Sequence, residues 1–246
     1  MVLRVEQCAS RRRHRVVVLA KEPVPGRVKT RLCPPLTPDL AAQCHEAFVV
    51  DTLTRLGSAI PGAETLLAVS PSRDSAPRLD ALGRDRGWQI VEQATGHLGM
   101  RMRELLAAAV DAGRSVVLVG ADTPDLPTGY VRDAIEALAD TRVVLGPASD
   151  GGYYLVGCRD RVPDIFGPEM PWGTERLFDR TLARLSAEET APSVLPEWHD
   201  VDDWAGLRAL AARIAAADED ARHDEDPPSV ATHELIDQLR AAGLEL

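Results

Sequence analysis

The sequence predicts an α/β protein built as three layers, αβα, around a mostly parallel, Rossmann-like sheet. Two observations carry this expectation. Short apolar runs rich in β-branched residues recur before Asp150, and a segment of helical spacing separates each run from the next, which is the alternation βαβ units produce. Val16 to Ala20 is apolar at every position and reads as the first central strand, buried on both faces. Thr65 to Val69, Trp88 to Val91, Ser115 to Val119 and Arg142 to Leu145 follow as strands.

Helices are expected at Pro38 to Ala59, Ser75 to Leu82, Leu98 to Ala112 and Thr128 to Ala139, the first and third with the clearest amphipathic period. Right-handed crossovers place such helices on both faces of a sheet. After Asp150 the alternation weakens, with a strand at Tyr153 to Cys158, a helix at Glu175 to Leu185 and a short edge strand at Val194. A helix begins near Trp204, and an amphipathic helix at Ala231 to Ala242 ends the chain. The acidic, proline-containing run at 218–228 reads as an exposed linker before that last helix, and residues 1–14 as a flexible start.

A length of 246 residues makes one domain the default. A chain of this size buries roughly three quarters of its unfolded surface, so stability calls for no disulfide or structural metal. Cys8, Cys33, Cys44 and Cys158 show no CxxC or metal-ligand spacing and are expected to be reduced. The net charge of −10 opposes long-range attraction to nucleic acid or anionic lipid, so neither is an expected partner. No stretch approaches the roughly 20 apolar residues of a membrane span. The arginines before Val16 resemble the start of a signal peptide, but the apolar run stops at Lys21, and a cytoplasmic location is expected.

Against that acidic background, the segment after the first strand holds four cations, Lys21, Arg27, Lys29 and Arg31, with Glu22 as its single anion. Pro23, Pro25 and Gly26 stiffen it and permit a tight turn. Ligands of open α/β sheets collect at the carboxyl ends of strands, and this position favours a phosphate site over a merely solvated basic loop. The segment is neither GxxxxGK[ST] nor GxGxxG, which argues against P-loop and dinucleotide enzymes.

Asp122 follows the strand Ser115 to Val119 and is expected to project at the same edge. Magnesium takes one or two protein carboxylates plus phosphate oxygens, so one well-placed aspartate suffices to recruit Mg2+ or Mn2+. Asp125 or Thr128 is expected to cap the next helix. Asp200 and Asp202 lie on one side of an extended segment and are candidates to complete the metal shell; capping by Asp202 or Asp203 would leave Asp200 the better ligand. Asp150, Gly151 and Gly152 form a turn in which backbone N–H groups approach a ligand, or a plain hairpin, and only one of Tyr153 and Tyr154 is expected to line a pocket. Gly99 and Arg101 open a helix whose N-terminus offers N–H donors, and Trp172 and Thr174 supply an acceptor surface or a lid.

The run Ala20 to Leu32, AKEPVPGRVKTRL, resembles the opening motif of a bacterial family of glycosyltransferase-A-like, or selenodomain-associated, transferases. Further blocks follow in that family's order at Gly96 to Met102, Gly120 to Leu126, Leu145 to Gly157, Trp172 to Thr174 and Asp200 to Asp202. The resemblance implies the nucleotide-diphospho-sugar transferase (GT-A) fold, with phospholactate and molybdenum cofactor guanylyltransferases as distant relatives. It points to Lys21, Lys29 and Arg31 for phosphates, Asp122 for metal, and Asp150, Gly151 and Gly152 for substrate. Two positions depart from the family's pattern: His97 stands where an acidic residue is usual, and Met100 where glutamate is common.

The expected activity is transfer of a nucleoside monophosphate from a nucleoside triphosphate to a phosphorylated small acceptor, with release of pyrophosphate. Lys29, Arg31 and Asp122 are expected at the chemical step, and Lys21, Pro25, Gly26, Arg27, Gly99 and Arg101 around the nucleotide's phosphates. Asp150, Gly151, Gly152, Tyr153, Trp172 and Thr174 are expected to bind substrate. The alternative is glycosyl transfer from a nucleotide sugar, and a third reading is a silent nucleotide-binding module. A homodimer is left open.

Overall fold

The computed structural model describes residues 14–220 and 228–246. Its seven strands are β1 His14–Lys21, β2 Glu64–Ser70, β3 Gln89–Glu92, β4 Ser115–Gly120, β5 Val143–Pro147, β6 Tyr153–Cys158 and β7 Ser193–Val194. They form one sheet in the order β3-β2-β1-β4-β6-β5-β7. Its helices are α1 Pro38–Ala59, α2 Pro77–Asp85, α3 Leu98–Asp111, α4 Thr128–Ala137, α5 Leu177–Ala187, α6 Trp204–Asp220 and α7 Val230–Ala241. Every predicted strand forms, within two residues of its expected ends.

β6 is antiparallel to both β4 and β5, while the other pairings are parallel. The cause is the connection: only Ala148 to Gly152 separate β5 from β6, which makes a hairpin, whereas a parallel return needs a dozen or more residues. β1 lies between β2 and β4, so the chain reverses its direction across the sheet between β1 and β4. Leu19 pairs with Gly120 in register, and the segments leaving β1 and β4 therefore start side by side.

Alternation along β1 builds the layers. Val16 and Val18 enter a core with Val49 and Leu53 of α1, Leu79 of α2 and Val131 of α4. Val17 enters the opposite core with Leu105 and Leu106 of α3 and Leu185 of α5. A third core joins the outer side of α1, through Cys44 and Phe48, to Leu207 and Leu210 of α6 and Leu235, Ile236 and Leu239 of α7.

Polar groups lock α7 in place. Asp51 of α1 accepts hydrogen bonds from the backbone N–H of Ala231 (3.0 Å) and Thr232 (2.7 Å), capping α7 from another helix. Arg55 Nη1 donates to Ser229 Oγ (2.9 Å) and Nη2 to the Leu126 carbonyl (3.0 Å), while Ser229 Oγ donates to the Pro124 carbonyl (2.9 Å). This buried link ties α1 and α7 to the segment that carries Asp122.

Two local expectations are corrected. Neither Asp125 nor Thr128 caps α4, whose N-cap position is Pro127 with no side-chain bond. Asp125 Oδ2 instead accepts from Arg213 Nε of α6 (2.6 Å) and its Oδ1 from Trp198 Nε1 (3.3 Å), a long-range tie that uses both oxygens. α6 runs through Asp220, so residues 218–220 are helical, while the rest of the expected linker up to 227 lies outside the described residues. Of the expected flexible start, only His14 is described, as the first residue of β1.

Candidate active site

The basic segment after β1 and the acidic end of β4 share one cleft of about 480 Å3. It opens at the carboxyl ends of β1 and β4, where the reversal of chain direction parts the two connections and leaves room for a ligand.

Lys29 holds the centre together. Its backbone is in the left-handed region, with φ at 46°, a conformation that costs a side-chain-bearing residue about 1–2 kcal/mol. That geometry turns the side chain inward over the Phe48 ring, 5.7 Å from its centroid. The ammonium bonds to Asp122 Oδ1 at 2.5 Å, the Val201 carbonyl at 2.7 Å and Asp202 Oδ1 at 3.0 Å. Burial pulls the Lys29 pKa down, but Asp122 and Asp202 outweigh it and hold it above the ordinary lysine value. An ammonium has three donors and all three are used, with the side chain 4% exposed. Where the sequence suggested a phosphate grip, the structure places Lys29 on two carboxylates, which it sets side by side.

Burial alone would raise the Asp122 carboxyl, but the Lys29 ammonium outweighs it and keeps it below its usual range. His45, on α1, was not legible as a site residue. Its Nε2 donates to the Lys21 carbonyl (2.9 Å), which leaves Nδ1 unprotonated, without a hydrogen-bond partner and 3.8 Å from Asp122 Oδ1. Burial holds this imidazole below its ordinary pKa despite the pull of Asp122, so it is neutral. The only sequence signal was a histidine on the buried face of a helix, which reads as core.

Asp202, not Asp200, completes the contact with Lys29, and Arg31 Nη1 stands 3.9 Å from Asp202 Oδ2. Asp203 takes the capping role, accepting from Gly206 N (2.8 Å) in the first turn of α6. Asp200 borders the cleft as well, and its carboxyl is raised to about 6 by burial and then by Asp150, Asp202 and Asp122. Asp122, Asp150, Asp200 and Asp202 therefore all border the cleft, and Asp122 and Asp202 are bound to Lys29.

Lys21, Arg27, Arg31, Arg101, Asp150, Gly152, Tyr153, Trp172 and Thr174 all border the cleft. Tyr154 borders it too, although its ring lies in the core opposite to that of Tyr153, so the expected choice between the two tyrosines does not hold. Pro25, Gly26, Gly99 and Gly151 are not on its walls. Gly26 makes an exposed turn at φ 75°. Gly99 lets the Trp172 indole lie on α3, since an added Cβ would come within 2.3 Å of Cζ2. Gly151, at φ 85°, passes so close to Glu175 that a Cβ would sit 2.2 Å from its carbonyl oxygen. Asp150 Oδ1 accepts from Gly152 N (2.7 Å), closing the tight turn into β6. His97 caps α3 through Nδ1, which accepts from Met100 N (3.3 Å), the task an acidic residue would perform there.

Among the described residues no three His, Cys, Asp or Glu side chains are grouped to hold a metal ion unaided. Asp122 and Asp202 nevertheless keep 45% and 46% of their side chains exposed after binding Lys29. Such a pair fits a divalent ion that arrives already chelated by phosphate oxygens rather than a preformed cage. No helix among the described residues is long and apolar enough to cross a membrane.

A family model described as uncharacterized protein conserved in bacteria (DUF2064) matches residues 52–174. Comparison with curated proteins returns no match. Among solved structures, a candidate nucleotide-diphospho-sugar transferase from Desulfovibrio desulfuricans G20 is similar at 29% identity and TM-score 0.78, covering 94% of this chain and 96% of that one. A Methanothermobacter nucleotidyl transferase aligns at 12% identity and TM-score 0.57 over 83% of this chain and 98% of its own. Glucosyl-3-phosphoglycerate synthase from M. tuberculosis aligns at 13% identity and TM-score 0.52, over 92% and 86%. The last two likenesses show the shared fold alone: the three-layer α/β architecture of nucleotide-diphospho-sugar transferases.

Proposed function

This chain belongs to the bacterial DUF2064 family, and from its cleft and its likeness to the Desulfovibrio transferase we propose that it is a transferase that moves a nucleoside monophosphate from a nucleoside triphosphate to a phosphorylated small acceptor. The observation that carries this is the Asp122–Lys29–Asp202 arrangement at the point where β1 and β4 diverge, with Lys21, Arg27 and Arg31 around it.

Phosphoryl chemistry needs positioning and charge neutralisation more than covalent help. An acceptor phosphate oxygen attacks the α-phosphorus, the bond from that phosphorus to the bridging oxygen breaks, and pyrophosphate leaves with the electron pair. Because the acceptor phosphate is already ionised, no general base has to take a proton. Arg27 and Arg31 meet the β- and γ-phosphates from the exposed segment, and Lys21 adds charge at the end of β1. Lys29 orients both carboxylates, and His45 fixes the start of the basic segment through the Lys21 carbonyl. Asp122 and Asp202, with Asp200 beside them, would hold magnesium or manganese, which when bound neutralises charge on the leaving diphosphate.

A second reading, transfer of a sugar from a nucleotide-diphospho-sugar, is favoured by the name of the Desulfovibrio relative. One experiment separates the two. The protein is incubated with magnesium, each nucleoside triphosphate and a panel of phosphorylated acids, and in parallel with sugar nucleotides. Acceptor-dependent pyrophosphate release supports nucleotidyl transfer; nucleoside diphosphate release from a sugar nucleotide supports the second reading and refutes the first.

A further inference from the structure

We propose that Arg101 and Tyr153 form an anion subsite on the α3 side of the cleft, which grips a carboxylate or phosphoryl group of the acceptor. This rests on the reading above in one respect only, that the cleft admits a small acceptor.

Arg101 lies in the first turn of α3 and is aimed by Gln93. That glutamine is 6% exposed, and its Nε2 donates to the Ala20 carbonyl (3.1 Å) and the Ala68 carbonyl (2.8 Å), bridging the ends of β1 and β2. Its Oε1 is then left to accept from Arg101 Nη1 at 2.9 Å. Both ends of Gln93 are occupied, so it acts as a rigid bracket for the guanidinium. Arg101 Nε is buried without a hydrogen-bond partner, and no carboxylate among the described residues pairs with this arginine. Elsewhere in the fold Arg15, Arg73, Arg78, Arg114, Arg184 and Arg213 do pair with acids. Burial without a counter-ion also lowers the Arg101 pKa. A half-buried cation without a counter-ion loses part of its hydration, and an anion from solution offsets that loss.

Tyr153 supplies the second unsatisfied group. Its hydroxyl is buried and has no partner, and burial raises its pKa, so it remains a donor. Trp172 packs beside both Tyr153 and the start of α3. Its ring lies 6.4 Å from that of Tyr153 and 6.4 Å from that of His97, the residue that starts α3, and its indole rests on Gly99, two residues before Arg101. Arg101 and Tyr153 both border the cleft. The free groups are a guanidinium with no acceptor capacity and a phenol too weakly acidic to ionise, so the matching ligand group is an acceptor with negative charge. A neutral sugar hydroxyl would leave the guanidinium charge uncompensated.

The test is calorimetric titration of the full chain with inorganic phosphate, and separately with acetate. Each is done alone and with a saturating non-hydrolysable nucleoside triphosphate analogue plus magnesium. At least one anion is expected to bind, and to bind still when the analogue is present; whichever binds more tightly distinguishes a phosphoryl from a carboxylate group. Arg101→Met should weaken that affinity about 10-fold or more, and Arg101→Lys should recover part of it. Tyr153→Phe should weaken it about threefold without lowering the thermal midpoint, because the hydroxyl it removes bonds to nothing in the protein. Arg103→Met, an exposed neighbour on α3, is the control and should change nothing. The proposal is overturned if neither anion binds, if Arg101→Met leaves affinity unchanged, or if the analogue displaces the anion. If the analogue itself fails to bind while anion affinity still depends on Arg101, the nucleotidyl reading falls and the subsite stands.

Discussion

Lys29 is more than 170 positions from Asp202 in sequence, yet the two meet at 3.0 Å, so no local pattern announces the pair. Its strained backbone persists because three bonds to the ammonium depend on it. Removing that ammonium leaves two adjacent carboxylates without their counter-charge. Lys29→Met should therefore cost about 1–2 kcal/mol in urea denaturation, a value discounted from the fully buried case because both aspartates are half exposed. Adding Asp122→Asn to Lys29→Met should return part of that loss, and strict additivity of the two changes would argue against the central contact. By itself Asp122→Asn should lower nucleotide turnover at least about 100-fold and leave the fold intact, since Asp202 and the Val201 carbonyl still hold Lys29. Full activity in that variant would remove Asp122 from the mechanism. Asp122 was legible because it ends an apolar strand, and the basic segment because its charge opposes that of the whole chain. His45 was not, since a histidine inside an apolar helix looks the same whether it packs or serves. Gly99 and Gly151 misled for a related reason: a glycine signals close approach without saying whether a ligand or the protein's own Trp172 and Glu175 is what approaches.

At the scale of elements, the hydrophobic period determined nearly every strand and helix, because each is buried on a face long enough for its repeat to show. What periodicity does not carry is strand direction. β6 runs antiparallel because its connection is short, and that follows from counting the residues between Pro147 and Tyr153 rather than from their character. Caps were the other weak point: Asp125, which locally looks like a cap, is drawn away by Arg213 and Trp198 from distant parts of the chain. The reverse case is Asp51, a mid-helix residue that caps α7 from outside. Asp51→Ala should cost about 1–2 kcal/mol. It should also speed amide exchange in the first turn of α7 ahead of the sheet, and a uniform change across both would mean that α7 has no local dependence on Asp51. His97→Ala should cost a smaller amount, about 0.5–1 kcal/mol, while His97→Asp should cost nothing, because either side chain caps α3.

For the whole molecule, the governing contrast is between a net charge of −10 and a cleft lined both by the cations Lys21, Arg27 and Arg31 and by the carboxylates Asp122, Asp150, Asp200 and Asp202. A free triphosphate meets attraction from the first set and repulsion from the second. A free divalent ion finds carboxylates already partly neutralised by Lys29. The two together satisfy both sides, so binding should be strongly cooperative between metal and nucleotide, each contributing little alone. A ligand that binds only the folded state stabilises it by mass action, by about 2.7 kcal/mol at a concentration 100 times its dissociation constant. For a chain of this size that corresponds to a rise of roughly 5–11 °C in the unfolding midpoint, at about 2–4 °C per kcal/mol. Thermal unfolding with a nucleoside triphosphate and magnesium should show such a rise. The nucleotide with a chelator, or magnesium by itself, should show only a small fraction of it, and Asp122→Asn should lose most of the combined effect. An equal rise from nucleotide in the presence of chelator would mean that the carboxylates take no metal, and would leave Lys21, Arg27 and Arg31 alone to account for binding.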